Sequence, residues 1–446
     1  MNPVLNDILP PMEDLKKRLK DADITRVNGR VEQVVGLVIE SSGPAASVGE
    51  ACWITAAGGT SEPVLAEVVG FRQHRVLLMP LGEMRGLGPG SEVVRTGQPF
   101  KVAVGEALLG RVIDAMGKPL DGKGPLGPTR ENYPIHREPP PAMERRRIAM
   151  PVATGVRALD ALLTLGEGQR LGIFAGSGVG KSTLLGMIAR NTEADINVIA
   201  LVGERGREVR DFLERDLGAE GLKRSVVVVA TSDQPSLIRI QAALVATAVA
   251  EYFRDQGKRV MLMMDSITRF AMAQREVGLA IGEPPTTKGY TPSVFALLPK
   301  LLERAGTTSH QGSITGLYTI LVEADDMNEP VADACRAILD GHVVLSREMA
   351  SQNHYPAIDV LESVSRVMRD IVGPEQLEAA ARIRSVLATY KSAEDLISIG
   401  AYVKGSNPKV DEALRRLDAV QGFLRQQREE TAPWPDTLQK MKGFLA

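Results

Sequence analysis

The stretch that decides the fold lies near the middle of the chain, where residues 169–183 read QRLGIFAGSGVGKST. The apolar run QRLGIFA is typical of a buried strand, and the TLLGMIAR that follows the loop has the apolar spacing of a helix. Between them, residues 175–182 match the phosphate-binding loop, in which glycines let backbone N–H groups point at phosphate oxygens beside a helix N-terminus. The strict pattern begins with glycine where this chain has Ala175, and a small side chain is tolerated there if its φ stays negative. The alternative interpretation is a chance glycine-rich turn.

Two side chains of this loop have specific predicted tasks. Lys181 is expected to reach the β- and γ-phosphates of a bound nucleotide, and the hydroxyl of Ser182 is expected to bind Mg²⁺. The residues predicted to hold the nucleotide are Ala175, Gly176, Ser177, Gly178, Val179, Gly180, Lys181, Ser182 and Thr183.

Further apolar runs indicate a sheet built around this loop. They alternate with helical stretches, which predicts a mainly parallel sheet covered by helices on both faces. In open sheets of this kind the ligand lies at the carboxyl ends of the strands. The additional candidate strands are INVIALV, SVVVVA, RVMLMMD and ITGLYTILVE.

Carboxylates follow two of these strands. Asp265 ends RVMLMMD and is predicted to support Mg²⁺ through a water, although capping the next helix is the alternative. Glu204 follows INVIALV in the segment GERGRE and is a candidate to polarise the water that attacks the γ-phosphate. Arg205 is a candidate to stabilise charge, and Glu208 to order the hydration shell of the metal. The alternative for GERGRE is a charged loop with surface ion pairs.

A later segment, residues 355–366, reads YPAIDVLESVSR. An aromatic residue before proline in an extended segment is able to stack on adenine, which makes Tyr355 a candidate. Arg366 is a candidate to reach a phosphate, either within the chain or across a subunit boundary. A packed tyrosine and a solvated arginine are the commoner alternatives.

The chain of 446 residues is predicted to be multidomain. Residues 1–23 form a predicted helical arm, which either packs on its own domain or binds a partner. Short Val-rich runs in residues 24–95 predict a β-barrel or sandwich. Residues 96–370 form the nucleotide-binding core, in which 96–150 are a loop-rich connector. Residues 371–446 have the pattern of an α-helical domain.

Composition narrows the class of protein. With 53 Lys and Arg against 55 Asp and Glu, the net charge of −2 argues against a dedicated nucleic-acid or membrane-surface binder. Two cysteines, Cys52 and Cys335, are too few for a disulfide framework and lack metal-ligand spacing. The start of the chain lacks the order of a signal peptide, and no run reaches the roughly 18 apolar residues of a membrane span. We expect a soluble, cytoplasmic protein.

Taken together, several segments resemble one family. The phosphate loop, GERGRE, SITRFAMAQRE and YPAIDVLESVSR are similar to the catalytic subunits of rotary ATPases. Longer stretches, GEPPTTKGYTPSVFALLPKLLERAG and LVEADDMNEPVADACRAILDGH among them, resemble the flagellar protein-export ATPases, whose nearest neighbours are the virulence type III secretion ATPases. The resemblance covers roughly residues 24–440, and DDMNEP favours the flagellar branch.

This resemblance implies an architecture and a set of roles. It implies an N-terminal β-barrel, a central α/β core of the RecA-like P-loop NTPase type and a C-terminal helical domain, assembled as a homohexamer with ATP sites between subunits. Glu204 would activate water, and Arg205 and Arg269 would lie near the γ-phosphate. The chain keeps glutamate where non-catalytic ring subunits have glutamine, which implies that it hydrolyses ATP itself.

The remaining roles also follow from the resemblance. Lys181 and Ser182 would bind phosphates and Mg²⁺, and Asp265 would support the metal. Tyr355 would pack against adenine, with Tyr402 as a candidate second aromatic. Arg366 would act as an arginine finger in the neighbouring subunit's site.

The implied partners belong to protein export. They are a regulator on the N-terminal arm, a stalk-like coiled coil in the centre of the ring, and export chaperone–substrate complexes delivered to a membrane export gate. The protein would then lie on the cytoplasmic face of the membrane, release chaperones and deliver unfolded substrates. No nucleic-acid partner is expected.

Four other functions share parts of this pattern. A virulence secretion ATPase or a rotary ATP synthase subunit would have the same chemistry. A RecA-like RNA helicase would need a basic, aromatic groove, and the barrel region offers only scattered aromatics, Trp53 and Phe71. A nucleotide-gated scaffold would not need the catalytic residues.

Overall fold

The computed structural model describes residues 28–58, 62–129, 131–322 and 326–445. The predicted N-terminal arm, residues 1–23, lies outside the described residues. The chain divides into two compact units, one ending at Phe100 and the other beginning at Lys101.

The first unit contains a closed barrel of six antiparallel strands, which confirms the predicted β-barrel. Its core is formed by small and β-branched side chains that alternate along the strands, among them Val31, Ile39 and Val68. The last strand runs beyond residue 95, where the sequence pattern placed the end of this domain. The strands, joined in the order β1-β2-β5-β4-β3-β6, are β1 (Asn28–Val35), β2 (Val38–Ser41), β3 (Glu50–Thr55), β4 (Val64–Arg72), β5 (Arg75–Pro80) and β6 (Glu92–Pro99).

The second unit is organised around a nine-stranded sheet, most of whose strand pairs are parallel. Two small two-stranded sheets accompany it. The strands of this unit are β7 (Lys101–Val104), β8 (Arg111–Asp114), β9 (Glu131–Pro134), β10 (Pro151–Val152), β11 (Leu165–Gly166), β12 (Arg170–Ala175), β13 (Ile196–Glu204), β14 (Ser225–Thr231), β15 (Arg259–Asp265), β16 (Gly306–Thr307), β17 (Ser313–Leu321), β18 (Gly341–Leu345) and β19 (Ile358–Ser365).

Helices cover the sheet and form the C-terminal part of the chain. A π-helical turn, Phe212–Leu217, connects two of them. The α-helices are α1 (Arg157–Leu162), α2 (Lys181–Asn191), α3 (Gly206–Asp211), α4 (Gly218–Lys223), α5 (Ser236–Asp255), α6 (Ile267–Ile281), α7 (Pro292–Leu302), α8 (Pro330–Ile338), α9 (Arg347–Ser351), α10 (Met368–Ile371), α11 (Pro374–Ser398), α12 (Pro408–Leu424) and α13 (Trp434–Lys442).

The five strands predicted from apolar runs are β12, β13, β14, β15 and β17. They lie next to one another in the sheet and pair in parallel, as predicted. The sheet order is β19-β18-β12-β17-β15-β13-β14-β8, with β16 beside β17. All residues of β15 except Arg259 are buried, because helices pack on both faces of the strand. The fold therefore brings the carboxyl ends of four strands, β12, β17, β15 and β13, to one edge.

Four strands of this sheet were not predicted: β8, β16, β18 and β19. β8 lies in the expected loop-rich connector and pairs with β14, while β18 and β19 form the opposite side of the sheet. β8 has four residues and β18 has five, which is too short for a clear periodicity. β19 is antiparallel to β18, so its amino end lies at the carboxyl edge of the parallel strands.

One helix among the described residues, α5, is long and apolar enough by length and composition to cross a membrane. Most of its length is buried inside the second unit, where it packs on β13, β14 and β15. Its composition is therefore accounted for by the core that it forms.

The C-terminal helices α11 and α12 pack against each other and against α1, which confirms the predicted helical domain. Arg157, at the start of α1, is buried, and its guanidinium donates to the carbonyl oxygen of Phe423 and pairs with Glu430. The side chain of Gln426 also joins this contact, because its Oε1 accepts from the Arg157 N–H at 2.9 Å.

Candidate active site

The phosphate loop joins β12 to α2, the placement that the sequence predicts. The loop ends at Gly180, which has φ 93° and precedes the first helical residue, Lys181. Gly178 also has a positive φ, of 80°. Glycine is needed at both positions because other residues rarely adopt this conformation. Ala175 is not among the three non-glycine residues with positive φ in the described part of the chain, so the condition for tolerating alanine is met.

A cavity of about 890 Å³ opens at this loop, at the carboxyl ends of the parallel strands. It brings together the loop, the segment after β13, the start of α6 and residues near α7, α8 and α9. Its volume is in the range of sites that bury a small organic ligand. The lining residues are Gly176, Ser177, Gly178, Gly180, Lys181, Ser182, Thr183, Gly203, Glu204, Arg205, Glu208, Ser232, Thr268, Arg269, Met272, Arg275, Lys288, Tyr290, Leu321, Val322, Glu329 and Arg347.

The ammonium group of Lys181 lies between two carboxylates at the bottom of the cavity. Its Nζ is 2.5 Å from Asp265 Oδ1 and 3.4 Å from Glu204 Oε1. Asp265 is almost fully buried and also accepts a hydrogen bond from Thr319 Oγ1 at 2.7 Å. Burial opposes the charge of Lys181, but the Asp265 and Glu204 carboxylates outweigh it and raise the pKa of this lysine. The cation is thus held charged, ready for phosphate oxygens.

Glu204 is the last residue of β13 and has an unusual protonation equilibrium. Burial, and next the nearby Asp265 carboxylate, raise the pKa of Glu204 to about 7, although Lys181 acts in the opposite direction. A hydrogen bond with Glu208 also contributes, and it lowers the pKa of Glu208. A carboxyl group with a pKa near neutrality is suited to exchange protons with a water molecule.

The two arginines predicted near the γ-phosphate differ in their surroundings. Arg269 packs its side chain against Gly203, and its Nε is buried without a hydrogen-bond partner in the described part of the chain. A buried donor of this kind would be satisfied by an anion in the cavity. Arg205 is mostly exposed and forms a 3.5 Å ion pair with Glu208.

The residues predicted for Mg²⁺ fit a metal that arrives with a nucleotide. Ser182 and Glu208 line the cavity, whereas Asp265 lies beneath it against Lys181. The described residues contain no group of three or more His, Cys, Asp or Glu side chains that could hold a metal by themselves. Mg²⁺ commonly takes few protein ligands and completes its shell with phosphate oxygens and water, so a hydroxyl and one or two carboxylates are sufficient.

Tyr355 lies beside the phosphate loop. A Cβ placed on Gly180 would be 3.7 Å from the Tyr355 ring, and the ring is 42% exposed. The backbone N–H of Gln426 donates to the Tyr355 carbonyl at 2.9 Å, which connects this residue to the C-terminal helices. Tyr402 is not brought here, because its hydroxyl lies 3.0 Å from Asn407 O, in the loop between α11 and α12, and 3.0 Å from Asp411 Oδ1, in the first turn of α12.

Arg366 lies away from this cavity. It follows β19, whose first residue, Ile358, pairs with Leu345 at the carboxyl edge and whose last residue, Ser365, pairs with Gly341 at the opposite edge. The Arg366 N–H donates to Asp340 O and the Asp340 N–H donates to Arg170 O, which places Arg366 beside the start of β12. The five steps from Arg170 to Ala175 separate it from the phosphate loop by about 17 Å. Its side chain is exposed, and its guanidinium contacts only the Arg336 carbonyl among the described residues, at 3.3 Å.

Several lining residues were missed by the sequence analysis. The guanidinium of Arg347 donates to Ser177 O at 3.4 Å, and that of Arg275 lies 5.4 Å from the ring centre of Tyr290. Arg347 follows β18, so recognising that short strand would have placed a cation beside the loop. Lys288 and Glu329 are brought to the cavity by irregular segments, for which periodicity gives no signal.

Three family descriptions match the chain in the order of its parts. Residues 31–97 match the beta-barrel domain of the ATP synthase alpha/beta family, and residues 155–365 match the nucleotide-binding domain of the same family. Residues 372–443 match the C-terminal domain of the type III secretion ATPase EscN.

Curated relatives cover nearly the whole chain. The chain is 59% identical over 406 residues to the flagellum-specific ATP synthase of Bacillus subtilis, and the alignment covers 91% of this chain and 92% of that protein. It is 53% identical over 425 residues to the type 3 secretion system ATPase of Xanthomonas euvesicatoria, covering 95% of this chain and 96% of that protein.

Solved structures agree with this relationship. The assembled ATPase EscN from the enteropathogenic E. coli type III secretion system superposes with a TM-score of 0.87 at 46% identity, covering 94% of this chain and all of that chain. EscN in complex with its central stalk EscO gives a TM-score of 0.86 at the same identity and the same coverage. The chain belongs to the flagellar and type III secretion ATPases of the ATP synthase alpha/beta family.

Proposed function

We propose that this chain hydrolyses ATP in a ring of six identical subunits and thereby powers or facilitates flagellar type III protein export. The observation that carries this proposal is the separation of two catalytic parts on one chain. The phosphate loop, Glu204 and Arg269 share one cavity, while the exposed Arg366 lies about 17 Å away along β12, at the other edge of the sheet. Arg366 is therefore available only to a site on another subunit.

The residues of the cavity divide the work of hydrolysis. The ammonium group of Lys181 moves from the Asp265 and Glu204 carboxylates to the phosphate oxygens. The backbone N–H groups of residues 176–180 donate to phosphate oxygens as well. Ser182, with Asp265 and Glu208 acting through water, would hold Mg²⁺. When bound, Mg²⁺ neutralises negative charge on the β- and γ-phosphates.

Glu204 orients the attacking water and accepts its proton. Lys181 leaves this carboxylate when the nucleotide enters, so Glu204 becomes free to interact with water in the cavity. Arg269 would donate its unpaired Nε–H to the anion, and Arg205 would add charge at the exposed side of the site. Tyr355 would pack against adenine next to Gly180.

A neighbouring subunit would supply Arg366 to complete the charge stabilisation. In related phosphoryl-transfer enzymes an arginine from another chain increases kcat by about 10³–10⁵. The assembled state of EscN, which superposes on this chain, supports a ring as the active form.

The partners and location proposed for this chain follow its relatives. The central stalk EscO in the EscN complex supports a stalk-like coiled coil as a partner here. We also propose a regulator on residues 1–23, chaperone–substrate complexes, and an export gate at the inner face of the membrane. The flagellar system is proposed over the virulence system on the segment DDMNEP alone, because the identities to flagellar relatives, 48–59%, and to type 3 secretion relatives, 47–53%, overlap.

Mixing two inactive variants tests the shared site. Arg366→Ala keeps a complete cavity but offers no arginine, and Glu204→Gln offers the arginine but has an inactive cavity. In an equal mixture, random assembly gives about one site in four an intact cavity next to a subunit that still has Arg366. We expect phosphate release to return to a substantial fraction of the wild-type rate.

The two variants measured separately are the controls, and each is expected to bind ATP while hydrolysing it slowly. If the mixture is no more active than its parts, although rings form, Arg366 does not act in a neighbouring site.

A further inference from the structure

The backbone that carries Arg366 is fixed by a set of partly buried hydrogen bonds. The Arg366 N–H donates to the carbonyl oxygen of Asp340 at 3.0 Å. The preceding residue, Ser365, donates from its Oγ to the carbonyl oxygen of Thr164 at 2.8 Å. The exposed guanidinium of Arg366 therefore belongs to a segment of backbone that hydrogen bonds hold at Ser365 and at Arg366.

One side chain joins these contacts. Gln169 is fully buried, and its Nε2 donates both to Asp340 O at 3.2 Å and to Ser365 Oγ at 3.1 Å. Its Oε1 accepts from the Gly166 N–H at 2.9 Å. The amide thus uses both of its donor hydrogens on the two groups that hold Arg366, with its oxygen fixed by the backbone.

The next residue reinforces the same point. The Arg170 N–H donates to Asp340 Oδ2 at 3.0 Å, and its guanidinium contacts both Asp340 oxygens at 3.0 and 3.1 Å. Arg170 is the first residue of β12, and the last residue of the same strand, Ala175, begins the phosphate loop. One six-residue strand thus supports the chain's own phosphate loop at one end and the backbone of Arg366 at the other.

We propose that Gln169 is a positioning residue for Arg366, so that it controls catalysis in the neighbouring subunit's cavity rather than in its own. This inference rests on the proposed function of Arg366. A misplacement of about 1 Å can cost about 100-fold in rate, and removing the Gln169 amide leaves the Asp340 carbonyl and the Ser365 hydroxyl with one partner fewer.

The proposal makes a directional prediction that a general loss of stability does not make. Gln169→Met keeps the length of the side chain and removes its hydrogen bonds. In the first arm it is added to the Glu204→Gln chain, which supplies the arginine, and this chain is mixed with Arg366→Ala. We expect the rescued kcat to fall about 10- to 100-fold below that of the unmodified pair, with the KM for ATP unchanged.

In the second arm, Gln169→Met is added to the Arg366→Ala chain, which supplies the cavity, and this chain is mixed with Glu204→Gln. Rescue is expected to stay within about twofold of the unmodified pair, because the side chain of Gln169 is hydrogen-bonded to Gly166, Asp340 and Ser365, and none of these three lines the cavity. Equal losses in both arms, or no loss in the first arm, would overturn the proposal.

The mixture of Arg366→Ala with Glu204→Gln, both without Gln169→Met, distinguishes a failure of the proposed function from a failure of this inference. If it shows no rescue, the proposed function of Arg366 fails and this inference fails with it. If it shows rescue without the asymmetry between arms, the shared site stands and only the role of Gln169 is rejected.

A control and a milder variant complete the design. Asn197, at the start of β13, is also a fully buried amide, and its Nδ2 donates to Ala189 O at 2.8 Å. Asn197→Leu is expected to leave both arms equal. If chains with Gln169→Met do not assemble, Ser365→Ala removes one of the two Gln169 contacts, and the same asymmetry with a smaller loss is expected.

Discussion

At the scale of single residues, the site is organised by the competition for Lys181. Its ammonium group contacts Asp265 and Glu204, the two carboxylates that the proposed mechanism needs for other tasks. Nucleotide phosphates would remove the cation from both. In the proposed mechanism, binding of the substrate would therefore free Glu204 to interact with water when a γ-phosphate is present.

Lys181→Ala should abolish most hydrolysis, because the cation that stabilises the phosphates is lost and two carboxylates are left facing each other. We expect the rate of phosphate release to fall about 100-fold or more. Lys223→Ala is the matched control, since that lysine is exposed on α4 and pairs with the exposed Glu220. Near-normal turnover of Lys181→Ala would mean that the phosphate loop has another role.

The raised pKa of Glu204 predicts a pH dependence. A carboxyl group with a pKa of about 7 is mostly protonated at pH 6 and mostly ionised at pH 8, and only the ionised form accepts a proton from water. The kcat/KM for ATP should therefore rise about tenfold between these pH values. The measurement is a pH profile of phosphate release at saturating Mg²⁺.

The residual rate of Glu204→Gln is the reference for this profile, because it reports the titration of ATP alone. It should lack the tenfold rise. A wild-type profile that is equally flat between pH 6 and pH 8 would show that Glu204 is already ionised at pH 6, against the expectation.

At the scale of elements, the sequence predicts the central part of the sheet and misses its sides. The five long apolar runs identify β12, β13, β14, β15 and β17, because strands buried on both faces have continuous apolar sequences. β8, β18 and β19 are shorter or partly exposed, so their composition is closer to that of loops.

The same difference explains which site residues were predicted. Glu204 and Asp265 end long strands and Lys181 follows the loop after another, and both carboxylates lie within hydrogen-bonding distance of the Lys181 ammonium group. Arg347 follows the short strand β18, and Lys288 lies in a segment with non-helical backbone, at φ 52°. Their position depends on tertiary packing that no local pattern records.

Two helical glycines offer a test of packing against propensity. In α2, a Cβ on Gly186 would lie 2.6 Å from the Asp216 carbonyl oxygen in the π-helical turn, whereas Gly422 in α12 has no neighbour within 4 Å of a Cβ. Helix propensity favours alanine at both positions by about 0.5–1 kcal/mol. At Gly186 the backbone contact should outweigh it and cost about 1–3 kcal/mol.

Urea unfolding of the two single variants provides the measurement. Gly186→Ala should lower the midpoint, and Gly422→Ala should leave it unchanged or raise it slightly. A raised midpoint for Gly186→Ala would show that the π-helical turn moves away from α2 at little cost.

At the scale of the whole molecule, a single chain is incomplete as an ATPase in the proposed mechanism. Its cavity holds the phosphate loop, the carboxylates and Arg269, and its exposed Arg366 lies at the far edge of the sheet. The architecture of barrel, core and C-terminal helices agrees with that of EscN over 94% of the chain. Catalysis should therefore depend on assembly.

The most direct test is the specific ATPase activity of the wild-type protein as a function of its concentration, with the size of the particles measured on the same samples. If each cavity needs Arg366 from a neighbour, activity per chain should rise steeply with concentration and follow the fraction of ring-sized particles, with monomers about 10³-fold slower. A dilute sample that is monomeric by size and keeps the full activity per chain would contradict the account.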